Sequence, residues 1–306
     1  MSLFYNTRVQ NSPSFVASIP TSPFHIMMSS GYQEFKPSAE LQPYVECYWL
    51  HRFETEGERE SPVQRCMPFG TLELILHLDD NRCDALFNGQ WEKLPPAFLV
   101  GLYRDAVQWK TVGSCRKFGI RLRPESALEL FRIPIAPLFN QFTDVESYFG
   151  KEINRLVDDV YGVKDMNEVV RTTERFLRGL LKNTRAKHHH ISEATRLIRQ
   201  TQGRLSIDAL SENLYIGRRQ LERIFKDHYG TTPKMYQRII RFRSAYESFC
   251  SMSSTPNWAE VSYQFGYSDQ AHFIRDFKEF TQEVPTNIFQ DQYQYFRLPD
   301  KQVRFA

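Results

Sequence analysis

The chain has 306 residues, of which 41% are hydrophobic and 25% are charged, and its formal net charge is +3. This length exceeds the usual size of one domain, so we predict two domains with separate cores. No apolar run approaches the roughly 18 to 20 residues of a membrane-spanning helix, which argues against a membrane partner. The five cysteines are odd in number and never form a CxxC pair, which argues against a disulfide framework and favours a reducing, cytoplasmic location.

The first half of the chain is predicted to be β-rich. Residues 1–32 contain scattered Ser, Pro and Asn and are interpreted as a flexible leader. Apolar or alternating runs then follow, separated by polar breaks that are typical of hairpins. These runs are "YVECYWLHRF", "GTLELILHL", "PAFLVGLY", "VQWKTV" and "RKFGIRL". We predict a small sandwich or barrel over 33–122, completed to residue 182 by helices at 127–131, 145–149, 153–161 and 166–181.

Residues 183–190 are predicted to be a linker, and they end in three consecutive histidines, His188 to His190. Adjacent histidines on a linker do not converge on one ion, and no acid or cysteine completes a site. The β-rich half contains only His51 and His77, too few for the histidine and glutamate set of a metal cupin. We therefore predict no metal, no cofactor and no catalytic residue.

Residues 191–289 are predicted to be helical and to contain an internal repeat, followed by a tail at 290–306. The stretch "LERIFKDHYGTTP" aligns with "FIRDFKEFTQEVP", and each is preceded by a short helix with apolar residues at i, i+3 and i+7. Two short helices joined by a tight turn form a helix-turn-helix, whose second helix fits the DNA major groove. Between the repeats, Met235, Ile239, Phe242, Tyr246 and Phe249 predict one helix of roughly 25 Å that joins them.

This region resembles the AraC/XylS transcriptional regulators. The likeness rests on "LSIDALSENLYIGRRQLERIFKDHYGTTP", "RFRSA" and "WAEVSYQFGYSDQAHFIRDFKEF", followed by Pro285. Tyr215 and Gly217 stand where the family usually has glycine then serine, and Gln282 replaces the glycine expected before the final proline. In the first half, "MPFGTLELILHL" and "FGIRLRPESALELFRIP" look like a cupin-like sensor region. The fold expected is α+β, with a β-rich cupin-like domain, trailing helices and an all-α domain of two helix-turn-helix motifs.

The resemblance implies two recognition helices that read adjacent major grooves of double-stranded DNA. Arg219 and Arg223 are suited to guanine, Gln220 to adenine, and Glu222 to a cytosine amine or to holding an arginine. The DNA-contacting residues predicted in this way are Arg218, Arg219, Gln220, Glu222, Arg223, Lys226, Gln270, Ala271, His272, Arg275 and Lys278. Residues 187–250 carry a net charge of +6 and residues 251–290 a net charge of −3, so the first motif is expected to supply most of the affinity.

The function expected is sequence-specific transcription regulation controlled by a small-molecule effector. Activation through contact with RNA polymerase is what the resemblance implies, and repression by occupancy is the alternative. An effector pocket in the first domain would be lined by aromatic residues, with Trp49, Phe69, Tyr103 and Trp109 as candidates. Two other interpretations stay open: a first domain that only forms a homodimer, and a DNA-linked alkyl-transfer or cupin-type enzyme. The alkyl-transfer enzyme would need an activated cysteine, for which Cys66 and Cys115 have basic neighbours.

Overall fold

The computed structural model describes residues 28–55, 57–87, 89–126, 135–181, 190–250, 252 and 254–290. A β-rich N-terminal domain is followed by an all-helical C-terminal domain, which confirms the predicted α+β class. The ten strands are β1 Met28–Phe35, β2 Val45–Thr55, β3 Gln64–Cys66, β4 Leu72–His77, β5 Asp84–Phe87, β6 Gln90–Lys93, β7 Ala97–Val100, β8 Val107–Lys110, β9 Cys115–Leu122 and β10 Phe142–Asp144.

The strands form two antiparallel sheets. The six-stranded sheet has the order β1-β2-β9-β4-β7-β10 and the four-stranded sheet has the order β3-β8-β5-β6. Alternation along the strands separates two apolar layers. Leu74, Ile120 and Leu99 face helices, whereas Ile75, Phe98 and Trp109 lie in the layer between the sheets. The domain is therefore a β-sandwich with helices covering the outer face of its larger sheet.

Close packing inside the sandwich explains one glycine in a central strand. Gly119 on β9 is paired with Trp49 on β2, and a Cβ at Gly119 would lie 1.9 Å from the Trp49 ring. Any side chain there would have to displace the indole. Glycine is thus required by the close approach of a ring, which is one of the few reasons for glycine in a strand interior.

Helices complete both domains. They are α1 Pro124–Ser126, α2 Glu146–Phe149, α3 Lys151–Val160, α4 Met166–Leu181, α5 His190–Gln200, α6 Ile207–Asn213, α7 Arg218–Tyr229, α8 Pro233–Cys250, α9 Trp258–Gln264, α10 Gln270–Thr281 and α11 Pro285–Gln290. A 3₁₀ helix, Ala136–Leu138, precedes β10. No helix in the described ranges has the length and apolar content to cross a membrane.

Helix α8 joins the two helical repeats and is buried on two sides. Phe242 and Tyr246 pack with the core of the second repeat, whereas Tyr236 and Ile240 belong to a cluster shared with the first repeat and the sandwich. Its 18 residues correspond to about 27 Å, close to the predicted length. The side chain of Phe249, the last residue of the predicted apolar stripe, lies outside the described part of the structure.

The two domains share an interface that reaches α8 and both repeats. Tyr236 on α8 donates a hydrogen bond to the Gly70 carbonyl at 3.2 Å, and the Ala106 amide donates to the Phe280 carbonyl at 2.8 Å. At Gly230, which ends α7, a Cβ would lie 2.7 Å from the Ala136 carbonyl oxygen. The first domain therefore touches the carboxyl end of α7 through its 3₁₀ helix and that of α10 through the residue before β8.

Several predicted boundaries differ from the structure. The leader was expected to extend to residue 32, but β1 begins at Met28 because residues 28–35 pair with β2. The predicted linker extended to residue 190, whereas His190 is the first residue of α5. Residues 1–27, the predicted helix at 127–131, residues 182–189 and the tail beyond residue 290 lie outside the described residues.

Candidate nucleic-acid interface

Each repeat is a pair of helices joined by a tight turn in the left-handed backbone conformation. In the first turn Tyr215 has φ 54°, and in the second Gly266 has φ 75°. The left-handed conformation costs an ordinary residue about 1–2 kcal/mol and costs glycine little. Tyr215 adopts it with its ring 94% exposed. The departure from the family pattern at this position therefore preserves the turn geometry at an energetic cost.

The second helix of each repeat begins with a different cap. Asp269 caps α10 by accepting the His272 amide at 2.7 Å. Gly217 occupies the corresponding position before α7 and makes no side-chain cap, as the sequence indicated. A missing side-chain acceptor at this position leaves amide groups available for another acceptor. Three charged or amide side chains, Arg218, Arg219 and Gln220, follow directly and are exposed.

The predicted contact residues lie on the exposed surfaces of α7 and α10. On α7 the apolar side chains of Leu221 and Phe225 are fully buried, so the polar positions between them face outward. On α10 Phe273 and Phe277 have the same role. Of the eleven predicted DNA-contacting residues, ten are exposed and only His272 is half-buried.

The arginines of α7 differ in their availability. Arg218 forms an ion pair with Asp208 on α6. Within the described residues, Arg219 and Arg223 form no ion pair or side-chain hydrogen bond. Glu222 forms no ion pair with Arg218 or Arg219 in the ranges that the structure describes, and Arg218 pairs with Asp208 instead. Arg219 and Arg223 are thus the positive groups of α7 that need lose no protein partner to contact DNA.

The start of α10 is more constrained. The His272 ring contacts Ser268 through Nδ1 at 3.1 Å, and its Nε2 atom lies 4.0 Å from an Asp276 carboxylate oxygen. Arg275 donates to the Ala271 carbonyl of its own helix at 3.3 Å. This bond is local and uses one nitrogen of the guanidinium, and the other N–H groups of this exposed side chain take no part in it.

An open cleft separates α7 from α10, with α8 as its floor and residues 203–207 at its rim. Arg218 and Glu222 line one wall, and Arg275 and Glu279 line the other. The basic lining residues are Arg204, Arg218, Lys234, Arg238, Arg241 and Arg275, and the acidic ones are Glu222, Asp276 and Glu279. The cleft is therefore basic on balance and lies between the two helices that carry the predicted contact residues.

Sequence reasoning missed the residues of the cleft floor. Arg238 donates to Asp276 at 2.8 Å, and its guanidinium also pairs with Glu279. Arg241 lies over the Tyr267 ring, 4.7 Å from the centroid. These contacts link α8 to the second repeat, and the Arg238–Asp276 pair joins residues 38 positions apart in the sequence. Only the excess of arginine in "RIIRFR" hinted at them.

Comparison with known proteins identifies this helical region. Residues 210–291 match a family described as a helix-turn-helix domain, and 90 residues are 29% identical to an uncharacterized HTH-type transcriptional regulator of Haemophilus influenzae. The C-terminal domain belongs to the AraC type of helix-turn-helix domains. The match to the regulator covers 29% of this chain and 30% of the relative, so this chain spans about a third of that protein's length. The AraC-type domain is therefore the part of the chain to which the likeness applies.

Two solved structures are similar to this chain to different extents. An AraC-type transcriptional regulator from Chromobacterium violaceum is 28% identical, over 29% of this chain and 79% of that one, with a TM-score of 0.27. ToxT from Vibrio cholerae is 9% identical, over 86% of this chain and 98% of that one, with a TM-score of 0.45. In front of the AraC-type domain, residues 33–144 match a domain of unknown function, DUF6597.

The predicted effector-pocket residues occupy two separate places. Trp49 and Trp109 lie within the sandwich, where Trp109 contacts the His51 ring edge-on at 5.3 Å between centroids. Phe69 packs against Tyr246 of α8, and the Tyr103 hydroxyl donates to the Met67 carbonyl at 2.7 Å. The four aromatic residues therefore divide between the sandwich interior and the domain interface.

The two cysteines considered for an enzyme are poorly suited to nucleophilic chemistry. Burial raises the pKa of the Cys66 thiol to about 11. The pKa of Cys115 is raised above its usual range, mainly by the hydrogen bond with Cys83 and in addition by burial. Because the thiolate is the reactive form, both shifts oppose activation. These environments give the alkyl-transfer interpretation no support.

Proposed function

We propose that this protein is a sequence-specific DNA-binding transcription regulator of the cytoplasm, in which the sandwich controls how the two helix-turn-helix motifs engage DNA. The AraC-type domain is the finding that supports the DNA-binding part of this proposal. The observation that carries the regulatory part is the contact of the first domain with both recognition helices and with α8.

The recognition surface proposed for DNA combines the outer faces of α7 and α10. Arg219, Gln220 and Arg223 would read one major groove, and Gln270 and Arg275 the next. The sugar–phosphate backbone between the two grooves would pass over the basic cleft, near Arg204 and Lys234. The first motif would supply the larger share of the affinity, since α7 has two arginines without an ion pair in the described part of the chain and residues 251–290 carry a net charge of −3.

Control by an effector would act through the domain interface. An effector that binds one arrangement of the sandwich more tightly shifts the population toward that arrangement. The contacts at Gly230 and Phe280 would then change the placement of α7 relative to α10. Homodimer formation and contact with RNA polymerase are further expectations from the family resemblance. The effect of either one on the placement of α7 and α10 would pass through the same domain interface.

Selection of genomic DNA fragments by the full-length protein at near-physiological salt tests this function. We expect enrichment of one sequence with two half-sites about one helical turn, roughly 34 Å, apart. Arg219→Ala and Arg223→Ala should reduce the enrichment. Arg155→Ala, which removes an exposed arginine from α3 in the first domain, is the matched control and should leave it unchanged. Failure to enrich any sequence would contradict the proposal.

A further inference from the structure

Three side chains of ligand type meet at the end of the sandwich that is distant from the AraC-type domain. His77 ends β4, Cys83 directly precedes β5, and Cys115 begins β9. The opposite end of β4 follows Gly70, which contacts α8. The opposite end of β9 leads to Glu125, which pairs with Arg199 on α5. The cluster thus lies roughly 20 Å along the same strands from the domain interface, at 3.3 Å per residue.

The spacing of the three donor groups suits a shared ion. The His77 nitrogen and the two sulfur atoms all lie within 4.8 Å of one another, and all three residues are buried. The Cys83 and Cys115 Sγ atoms are 3.5 Å apart. Two thiolates bound at about 2.3 Å from one metal would be separated by roughly 3.8 Å in a tetrahedral site and by roughly 4.0 Å in a trigonal site, whereas a disulfide requires about 2.05 Å. The two sulfurs are therefore close to ligand spacing and well beyond bonding distance.

A second observation concerns the orientation of the histidine. Its Nδ1 atom lies 3.0 Å from the Pro95 carbonyl oxygen, which is an acceptor only, so Nδ1 carries the proton. The lone pair of Nε2 consequently faces the cysteines and accepts the Cys83 amide at 3.1 Å. Histidines that bind metals almost always donate their other N–H to a carbonyl or carboxylate in this way. Metal binding would replace the hydrogen bond from the Cys83 amide N–H to Nε2 with a metal–nitrogen bond.

The charge of the surroundings discriminates between ions. Lys117 is opposite His77 in the β4–β9 pairing and is buried, with its ammonium 3.1 Å from the centroid of the Trp109 ring. No carboxylate pairs with Lys117 within the described ranges. A divalent ion bound by two thiolates gives a site with no net charge, so the charge of the Lys117 ammonium stays uncompensated in an apolar layer, which costs free energy. A monovalent ion bound by two thiolates gives a site with one negative charge, which balances the Lys117 ammonium.

We propose that His77, Cys83 and Cys115 form a buried binding site for a thiophilic metal ion, with Cu⁺ preferred over Zn²⁺. Thiolates select both ions, but three protein ligands, with no fourth His, Cys or carboxylate grouped with them in the described residues, suit Cu⁺, while zinc is almost always four-coordinate in structural sites. Binding would release the thiol protons to the buffer. The site differs from the histidine and glutamate set of a metal cupin, because its ligands come from three separate segments and two of them are sulfur.

The test is anaerobic titration of the reduced full-length protein with Cu⁺ in the presence of a chromophoric Cu⁺ chelator. We expect one equivalent of Cu⁺ to be withdrawn from the chelator, and Cys83→Ser and Cys115→Ser each to reduce the affinity at least tenfold. Cys66→Ser is the matched control, because Cys66 packs in the same cluster without belonging to the ligand set, and it should bind like the unmodified protein. Circular dichroism checks the folding of each variant.

A second titration of the unmodified protein with Co²⁺, used as a spectroscopic substitute for Zn²⁺, does not depend on any variant. A sulfur-to-cobalt charge-transfer band that saturates at one equivalent would uphold the site. If the protein also bound Co²⁺ more tightly than Cu⁺, the preference for Cu⁺ would be overturned. The proposal as a whole would be overturned by the lack of stoichiometric uptake of either ion. Uptake that survives both Cys83→Ser and Cys115→Ser, as expected for binding at the histidines 188–190, would also overturn it.

Discussion

The ion pair between Glu46 and Arg243 joins the sandwich to α8, and its removal tests how firmly the two domains are coupled. Arg243 donates to Glu46 at 3.1 Å through Nη1 and also contacts the Phe69 carbonyl at 3.3 Å. Burial raises the pKa of Glu46, but the charge and hydrogen bonds of Arg243 outweigh it and lower the pKa from 4.5 to about 2. That difference corresponds to about 3 kcal/mol of stabilisation.

Glu46→Gln removes the charge of this carboxylate and preserves the size of the side chain. A depressed pKa stabilises the folded protein above about pH 4.5, and the stabilisation disappears as the pH falls through about 2. We therefore expect the substitution to lower the unfolding free energy by about 3 kcal/mol at neutral pH. The gap between the two proteins should narrow below about pH 4.5, because glutamine does not titrate.

Urea unfolding followed by circular dichroism, repeated between neutral and acidic pH, measures this gap. Glu247→Gln is the control, since Glu247 contacts the same arginine at 2.7 Å but lies on α8 itself, one turn away. Its loss should cost about 0.5 kcal/mol, as for an ordinary helical i,i+4 pair. A Glu46→Gln effect no larger than this, or one that is independent of pH, would refute the argument.

Three further predictions concern the recognition helices, the domain interface and a turn. Arg223→Ala should weaken operator binding by about 1–3 kcal/mol and by more than Arg275→Ala, as measured by fluorescence anisotropy, and the reverse order would contradict our ranking of the two motifs. Gly70→Ala should lower the urea midpoint more than Gly57→Ala: both glycines have positive φ, but only at Gly70 would a Cβ meet α8, 2.8 Å from Ile240 Cδ1. Gln282→Gly should stabilise the protein by about 0.5–1 kcal/mol, since Gln282 has φ 63°, and calorimetry should show a higher Tm.

The sequence allowed the helical domain to be predicted in more detail than the sandwich. Helix α4 was predicted with the bounds that the structure shows, and the repeat placed both recognition helices, because each has an apolar stripe with helical spacing. The missed strands include β3, β5 and β6, which are three or four residues long. In a strand as short as β6, whose residues are all exposed, alternation gives no signal.

Contacts between distant segments could not be read from local patterns. Glu46 and Arg243 are 197 residues apart, and each resembles an ordinary surface charge in its own stretch of sequence. The same holds for His77, Cys83 and Cys115, which become neighbours only through the pairing of β4 with β9 and the position of β5. The predicted contact surface on α7 was more accessible to inference, because buried Leu221 and Phe225 determine which side of the helix is exposed.

The position of the domain interface constrains the way in which regulation can work. The first domain contacts the carboxyl ends of α7 and α10, at Gly230 and Phe280, whereas the predicted base-reading residues begin at the amino ends of those helices. Arg219 and Arg275 consequently stay exposed while the domains are packed together. The first domain therefore does not cover these reading residues in this arrangement. Since it holds both helices and α8 at once, its effect on DNA binding is expected to come from the spacing and angle of the two motifs, which must match two successive major grooves.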